Sequence, residues 1–360
     1  MRSVFTRASA ALDRSVIRFM ERRMAPRTPR IHTADARERL LAITERYSDD
    51  TLDAPSRFFP DPTLPEMALA PRGDGPLGTQ VVDLTFASDY QPFLPEARDL
   101  YLAAAENMTA HARWWTSDRG RPTIVMIHGW GAGNHWMSER AFLIPYWLRH
   151  GYDVAAFVLP FHGVRSGTGS LNPAWPTPNP LRMNEGFGHA IYDLRALSMF
   201  LRKRGSSAVG VMGMSLGGHT TALWASIAGP QDVGGVDFAV AMIPAVSFAR
   251  LMWRHGEGTT AQKKAANAGI TEDMLGDAFA VHTPTTRPPR VPRDRLYVVA
   301  GKGDRITPPD HAEALAKHWG TEVLWFQGGH LASFGRGDAL RVVRRSLGAH
   351  GFAGRAFRGT

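Results

Sequence analysis

The 360-residue chain contains no cysteine. That excludes a disulfide framework, a thiol nucleophile and cysteine-bound metal. Lysine is scarce as well, five of 42 basic residues, so the formal charge of +9 is carried almost wholly by arginine. No apolar run reaches the roughly 18 residues needed to cross a bilayer. Arg7, Asp13, Arg14 and Arg18 interrupt the apolar positions near the amino terminus, which argues against a signal-peptide core and makes a cytoplasmic location the default. No internal repeat is apparent, and none of the 14 histidines stands at His-x-x-x-His spacing, so no metal is expected.

The positive charge is confined to the ends. Residues 1–30 hold eight arginines against Asp13 and Glu21, and residues 341–360 hold five arginines and no acid. Residues 31–340 therefore carry a net charge of −2. With no zinc-finger, RNP or helix-turn-helix pattern beside the arginines, this distribution argues against nucleic acid as a partner.

What the chain does have is Gly213-Met214-Ser215-Leu216-Gly217, placed at the end of the apolar run Ala208-Val209-Gly210-Val211-Met212. The pattern reads as a buried strand, a serine on a sharp turn, and a helix starting near Leu216. A hydroxyl attacks only where a base can reach it. The turn that exposes it leaves no room for side chains two residues before or after, hence the two glycines. The first N–H groups of the following helix point at the same place and favour negative charge there.

Two partners follow in the order this chemistry needs. The strand Arg295–Ala300 ends in Gly301-Lys302-Gly303-Asp304, where a carboxylate can orient an imidazole. Asp310, inside the next helix, is the fallback acid. The strand Glu322–Phe326 ends in Gln327-Gly328-Gly329-His330, where a histidine can lean over the serine as general base. Upstream, Pro122–Ile127 runs into His128-Gly129-Trp130-Gly131-Ala132-Gly133, a loop able to turn backbone N–H groups toward an attacked carbonyl oxygen.

On these four ordered motifs, and more loosely on Pro160-Phe161-His162-Gly163, the chain resembles the α/β-hydrolase family over about residues 81–349. The resemblance implies a mainly parallel eight-stranded sheet with helices on both faces. It implies Ser215 as nucleophile, His330 as base and Asp304 as acid. The N–H groups of Trp130 and Leu216 would form the oxyanion hole, and a carboxylic ester would be cleaved through an acyl-serine. Haloalkane dehalogenases and epoxide hydrolases carry Asp where this chain has Ser215. Thioester, amide or C–C bond hydrolysis, perhydrolysis and a non-catalytic binding role remain as alternatives.

Around this domain the expectations are coarser. Residues 1–80 read as a helical extension and linker, 244–294 as a small helical cap inserted in the domain, and 350–360 as a basic tail. The cap and the long 163–184 loop would cover the site. Phe161, Trp175 and Trp253, with His128, are candidate substrate contacts, although His128 also suits a structural tie and the aromatics suit packing within the cap. Apolar cover and a near-neutral body favour a small uncharged or hydrophobic ester. Phe5, Ala8, Leu12, Val16, Phe19 and Met20 recur at helical spacing, giving residues 1–24 one apolar face. That face is expected to lie on the domain or on an anionic membrane surface, and the helix to be dispensable for chemistry.

Overall fold

Runs such as Thr123-Ile124-Val125-Met126-Ile127 and Asp153–Val158 are buried at every position, as strands covered on both faces must be. In the computed structural model, which describes residues 3–24, 33–48, 51–117, 120–167 and 173–352, these runs lie in one nine-stranded sheet. The strands are β1 (Ala68–Asp74), β2 (Gln80–Ala87), β3 (Thr109–Thr116), β4 (Thr123–Ile127), β5 (Asp153–Val158), β6 (Val209–Met214), β7 (Phe238–Met242), β8 (Leu296–Gly301) and β9 (Val323–Phe326). Their order is β1-β2-β3-β5-β4-β6-β7-β8-β9. From β5 through β9 all pairs are parallel, while β1, β2 and β3 pair antiparallel.

The helices are α1 (Val4–Met24), α2 (Thr33–Ser48), α3 (Pro95–Leu102), α4 (His135–Ala141), α5 (Ile144–Arg149), α6 (Pro180–Lys203), α7 (Leu216–Ile227), α8 (Phe248–His255), α9 (Thr260–Asn267), α10 (Glu272–Ala278), α11 (Pro309–Trp319) and α12 (Arg336–Ala349). On one face of the sheet, Leu194 of α6, Leu223 of α7 and Leu315 of α11 share a core with Val125, Val211 and Val298. On the other, Trp147 of α5 and Leu340 and Val343 of α12 pack with Met126, Met212 and Val240. The expected two-sided α/β architecture is present.

The edge differs from expectation. Residues 48–78, rich in Pro, Gly and Asp, read as a surface-running connection, yet β1 lies within them as a ninth strand. All seven of its residues are exposed and its register shifts between Pro71 and Gly73. Proline lacks the N–H a central strand needs, and an exposed edge strand has no apolar face to show in sequence.

The 244–294 insertion is helical, with α8, α9 and α10, but α10 packs against α2 and α8. It also surrounds His219, which is fully buried, with Nδ1 2.7 Å from Ala245 O and Nε2 3.0 Å from His282 O. The extension is likewise part of the body. Glu185 of α6 is buried and accepts from Tyr47 Oη of α2 and Tyr90 Oη (2.6 Å each), Phe93 N (2.9 Å) and Leu94 N (3.3 Å).

The helix α1 lies on the domain with its faces reversed. Thr6, Ser9, Ala10 and Asp13, at i, i+3, i+4 and i+7, are buried, whereas Phe5 and Leu12 are 57% and 46% exposed and Ala8 is exposed. The side chains of Val16, Phe19 and Met20, the prolines expected to end the helix and most of the basic tail lie outside the described residues.

Replacing Glu185 by Ala leaves two buried hydroxyls and two N–H groups without their acceptor, at about 1–3 kcal/mol for each one that finds no substitute. Urea unfolding of Glu185→Ala should therefore show a loss of at least about 3 kcal/mol.

Candidate active site

The chain passes from β6 to α7 through Ser215, at φ 60° and ψ −112°. A non-glycine residue rarely holds such a backbone conformation unless its surroundings enforce it. Here Ser215 N donates to Met242 O (2.9 Å), and Ser215 O accepts from His219 N (3.0 Å) and Ala245 N (3.3 Å). A Cβ on Gly213 would sit 2.0 Å from Gly217 O, and one on Gly217 would sit 2.0 Å from Ile127 O. Neither glycine has room for a methyl group. The turn thus packs directly on the end of β4.

Beyond β8, Asp304 is buried and its Oδ1 accepts from Ile306 N (2.9 Å) and Thr307 N (2.8 Å). Its Oδ2 lies 2.8 Å from His330 Nδ1 and accepts from Thr307 Oγ1 at 3.0 Å. An ionised carboxylate only accepts, so Nδ1 carries the proton and Nε2 is left as the basic nitrogen. Burial alone would depress the His330 pKa; the charge and hydrogen bond of Asp304, with a smaller contribution from Asp13, raise it above the ordinary histidine value. Asp310 sits apart from this group, paired with Arg254 (3.1 Å) and Arg250 (3.5 Å) on the surface.

The loop after β4 is tied by His128. Leu159 N donates to His128 Nε2 (3.1 Å), so the protonated Nδ1 donates to Gly129 O (2.8 Å). Burial, then the nearby His162, lowers its pKa to about 3, which keeps this tie neutral. Neither Trp130 N nor Leu216 N donates a hydrogen bond within the described residues.

Ser215, His330, Gly129 and Trp130 line one cavity of about 850 Å³. No hydrogen bond joins Ser215 Oγ to His330 among the described residues, and such bonds often tighten only when substrate is bound. Around them stand Trp136, Met137 and Phe142 from α4 and its end, with Met214, Ile306, Leu331 and Phe334. Arg140 and Arg336 add positive charge to the wall.

Three of the anticipated substrate contacts do not line this cavity. Trp175 is fully buried, donating Nε1–H to Met183 O (3.0 Å) and packing on Phe187. Phe161 is buried against Tyr101. Trp253, like every residue of 244–294, is absent from the lining. His128 borders the cavity with both ring nitrogens engaged by backbone. Among the described residues no group of three His, Asp or Glu side chains is arranged to hold a metal ion.

Residues 122–271 match the family model described as the alpha/beta hydrolase fold. Among solved structures, acetyl xylan esterase 1 from Thermoanaerobacterium sp. JW/SL YS485 superposes with a TM-score of 0.56 at 15% identity, covering 85% of this chain and 98% of that one. An acetyl xylan esterase from Paenibacillus sp. R4 gives 0.53 at 12% identity, covering 90% and 96%. An uncharacterized protein of Mycobacterium tuberculosis H37Rv is 27% identical over 304 residues, 82% of this chain and 70% of its own. This chain has the α/β-hydrolase fold.

Several parts of this site escaped sequence reasoning. Thr307 had a signal in its position three residues after Asp304, where a hydroxyl can close the acid's turn. The short α4 was passed over because seven residues show little periodicity. Asp13 had no signal, standing in a helix read for its apolar face.

The balance at His330 is open to direct test by NMR titration of its ring protons. The imidazolium should persist above pH 6.5 in the wild type. In Asp304→Asn burial acts without the neighbouring charge, so the midpoint should drop below 6.5.

Proposed function

We propose that this protein cleaves a hydrophobic carboxylic ester through an acyl-serine intermediate. The observation that carries the reading is the strained Ser215, facing the same cavity as His330, with two uncommitted backbone N–H groups beside it. Ser215 Oγ attacks the ester carbon while His330 Nε2 takes its proton. The N–H groups of Trp130 and Leu216 donate to the oxygen as charge develops on it. His330 then returns the proton to the departing alcohol. A water molecule, deprotonated in turn by Nε2, hydrolyses the acyl-serine. Asp304 holds the Nδ1–H tautomer and stabilises the imidazolium formed in each half. The apolar wall of Trp136, Met137, Phe142 and Met214 favours a hydrophobic acyl or alcohol group. The esterase names of the structural neighbours agree with ester over amide or C–C chemistry.

A fluorophosphonate probe should label the folded protein at Ser215, and p-nitrophenyl esters of graded acyl length should be hydrolysed. Ser215→Ala and His330→Ala should each lower kcat by about 10⁴–10⁶-fold, and the double variant should be little worse than either. Multiplying losses would mean the two residues do not share a mechanism, and an unlabelled wild type would favour a binding role.

The exposed stripe of Val4, Phe5 and Leu12, flanked by the exposed Arg7 and Arg14, supports peripheral contact with an anionic membrane. Phe5→Ser/Leu12→Ser should reduce cosedimentation with anionic vesicles at low salt. Equal sedimentation of variant and wild type would rule this contact out.

A further inference from the structure

Asp13 is fully buried at the meeting point of three separate parts of the chain. Its Oδ2 accepts from His330 N (2.9 Å) and Arg305 N (3.1 Å), and its Oδ1 accepts from Leu331 N (3.2 Å). One carboxylate on α1 therefore joins the loop that carries Asp304 to the loop that carries His330. The same stripe of the helix holds the histidine loop at two more points. Thr6 Oγ1 donates to Gln327 O (2.8 Å) and Ser9 Oγ donates to Ala332 O (3.2 Å).

Both loops are shaped to receive the helix. A Cβ on Gly329 would sit 2.7 Å from Asp13 Oδ2, and one on Gly303 would sit 2.7 Å from Thr6 O. Glycines that read as loop-formers also let a foreign helix approach within hydrogen-bond reach. An apolar contact would not need a carboxylate here. Three converging main-chain N–H groups do, because buried donors without an acceptor would pull the loops toward water.

We propose that Asp13 is a positioning residue for His330, and that α1 completes the active site by clamping the histidine loop onto the acid loop. The inference rests on the hydrolytic reading of Ser215 and His330. The side chain of His330 is held at one point, Nδ1, by Asp304 and Thr307; its main chain is held by Asp13. Two anchors are what fix the direction of Nε2 toward Ser215. The clamp also sets charge. The charged groups around the imidazole are Asp304 from the acid loop, Asp13 from α1, and Arg140 and Arg336 from the cavity wall. Asp13 stands with Asp304 in favouring the imidazolium. This placement replaces the expectation that the extension is dispensable for chemistry.

The test uses full-length Asp13→Ala and Asp13→Asn beside wild type and Ser215→Ala. Each is followed by thermal melting, by fluorophosphonate labelling rate and by kcat and KM on a soluble p-nitrophenyl ester from pH 5 to 9. Asp13→Ala should lower kcat by about 100-fold with KM little changed, the usual scale for a catalytic group displaced by an ångström. Asp13→Asn keeps the size and one acceptor oxygen, so its loss should be smaller. In both, the acid limb of kcat/KM should move to lower pH, which loss of stability alone would not cause.

Folded variants with wild-type kcat and an unmoved acid limb would overturn the clamp while leaving hydrolysis at Ser215 intact. If Asp13→Ala does not fold, Asp13→Asn decides on the same two readouts. Failure of Asp13→Asn to fold would also overturn it, since the role would then be stability, not position. A wild type that never labels at Ser215 would instead overturn the hydrolytic reading.

Discussion

The turn at Ser215 is the constraint on which the rest of the site depends. A serine at φ 60° costs on the order of 1–3 kcal/mol, and it persists only where the surroundings leave no alternative. Those surroundings are parallel strands. β7 supplies the Met242 carbonyl that holds Ser215 N, and the end of β4 lies against Gly217 so closely that no Cβ fits. Because α7 begins at the turn, its free N–H groups have a fixed direction. Because β4 abuts it, the loop carrying Trp130 is fixed against the same point. Each later element, the acid loop after β8 and the histidine loop after β9, then needs only to reach a serine whose position is already set.

How much of this the sequence disclosed follows from the kind of force involved. The elbow, the acid loop and the oxyanion loop were legible because steric exclusion writes itself as glycine at fixed offsets. The central strands were legible because burial on both faces writes itself as unbroken apolar runs. β1 was not, since a strand exposed along its whole length and carrying Pro71 and Gly73 has the composition of a loop. The orientation of α1 was misread for a related reason. Its apolar positions suggested the buried face, but the surface it meets is two loops that present backbone N–H and C=O groups to it. Those groups select hydrogen-bonding side chains, so Thr6, Ser9 and Asp13 turn inward and Phe5 and Leu12 stay out. Periodicity reports which residues could share a face; it does not report the polarity of what they meet.

The same principle governs the buried carboxylates. Glu185 accepts from two tyrosine hydroxyls and two backbone N–H groups, Asp304 from two N–H groups, a hydroxyl and an imidazole, and Asp13 from three N–H groups. A buried carboxylate that accepts three or four hydrogen bonds is tolerated where an unpaired one is not. Each of these three joins segments far apart in sequence, Glu185 and Asp13 through main-chain donors that no motif displays and Asp304 through the His330 side chain. The ties made by Glu185 and Asp13 were therefore hidden while the local geometry of the site was not.

The walls of the cavity carry this argument to specificity. A cap drawn from 244–294 was expected to build the substrate site, yet the lining comes from α4 and its end, Ile306 and residues 330–336. These segments adjoin the oxyanion, acid and histidine loops directly in sequence. A change in α4 would thus move the loop that holds Trp130, and a change near Phe334 would move the backbone of His330. Phe334 in turn meets Phe5 of α1 with tilted rings, centroids 5.3 Å apart. On the proposed reading, the segments that line the cavity are the ones that carry Trp130, Asp304 and His330. On the proposed hydrolytic reading, selecting a substrate and aiming the base are therefore coupled, whereas a separate cap would have kept them apart.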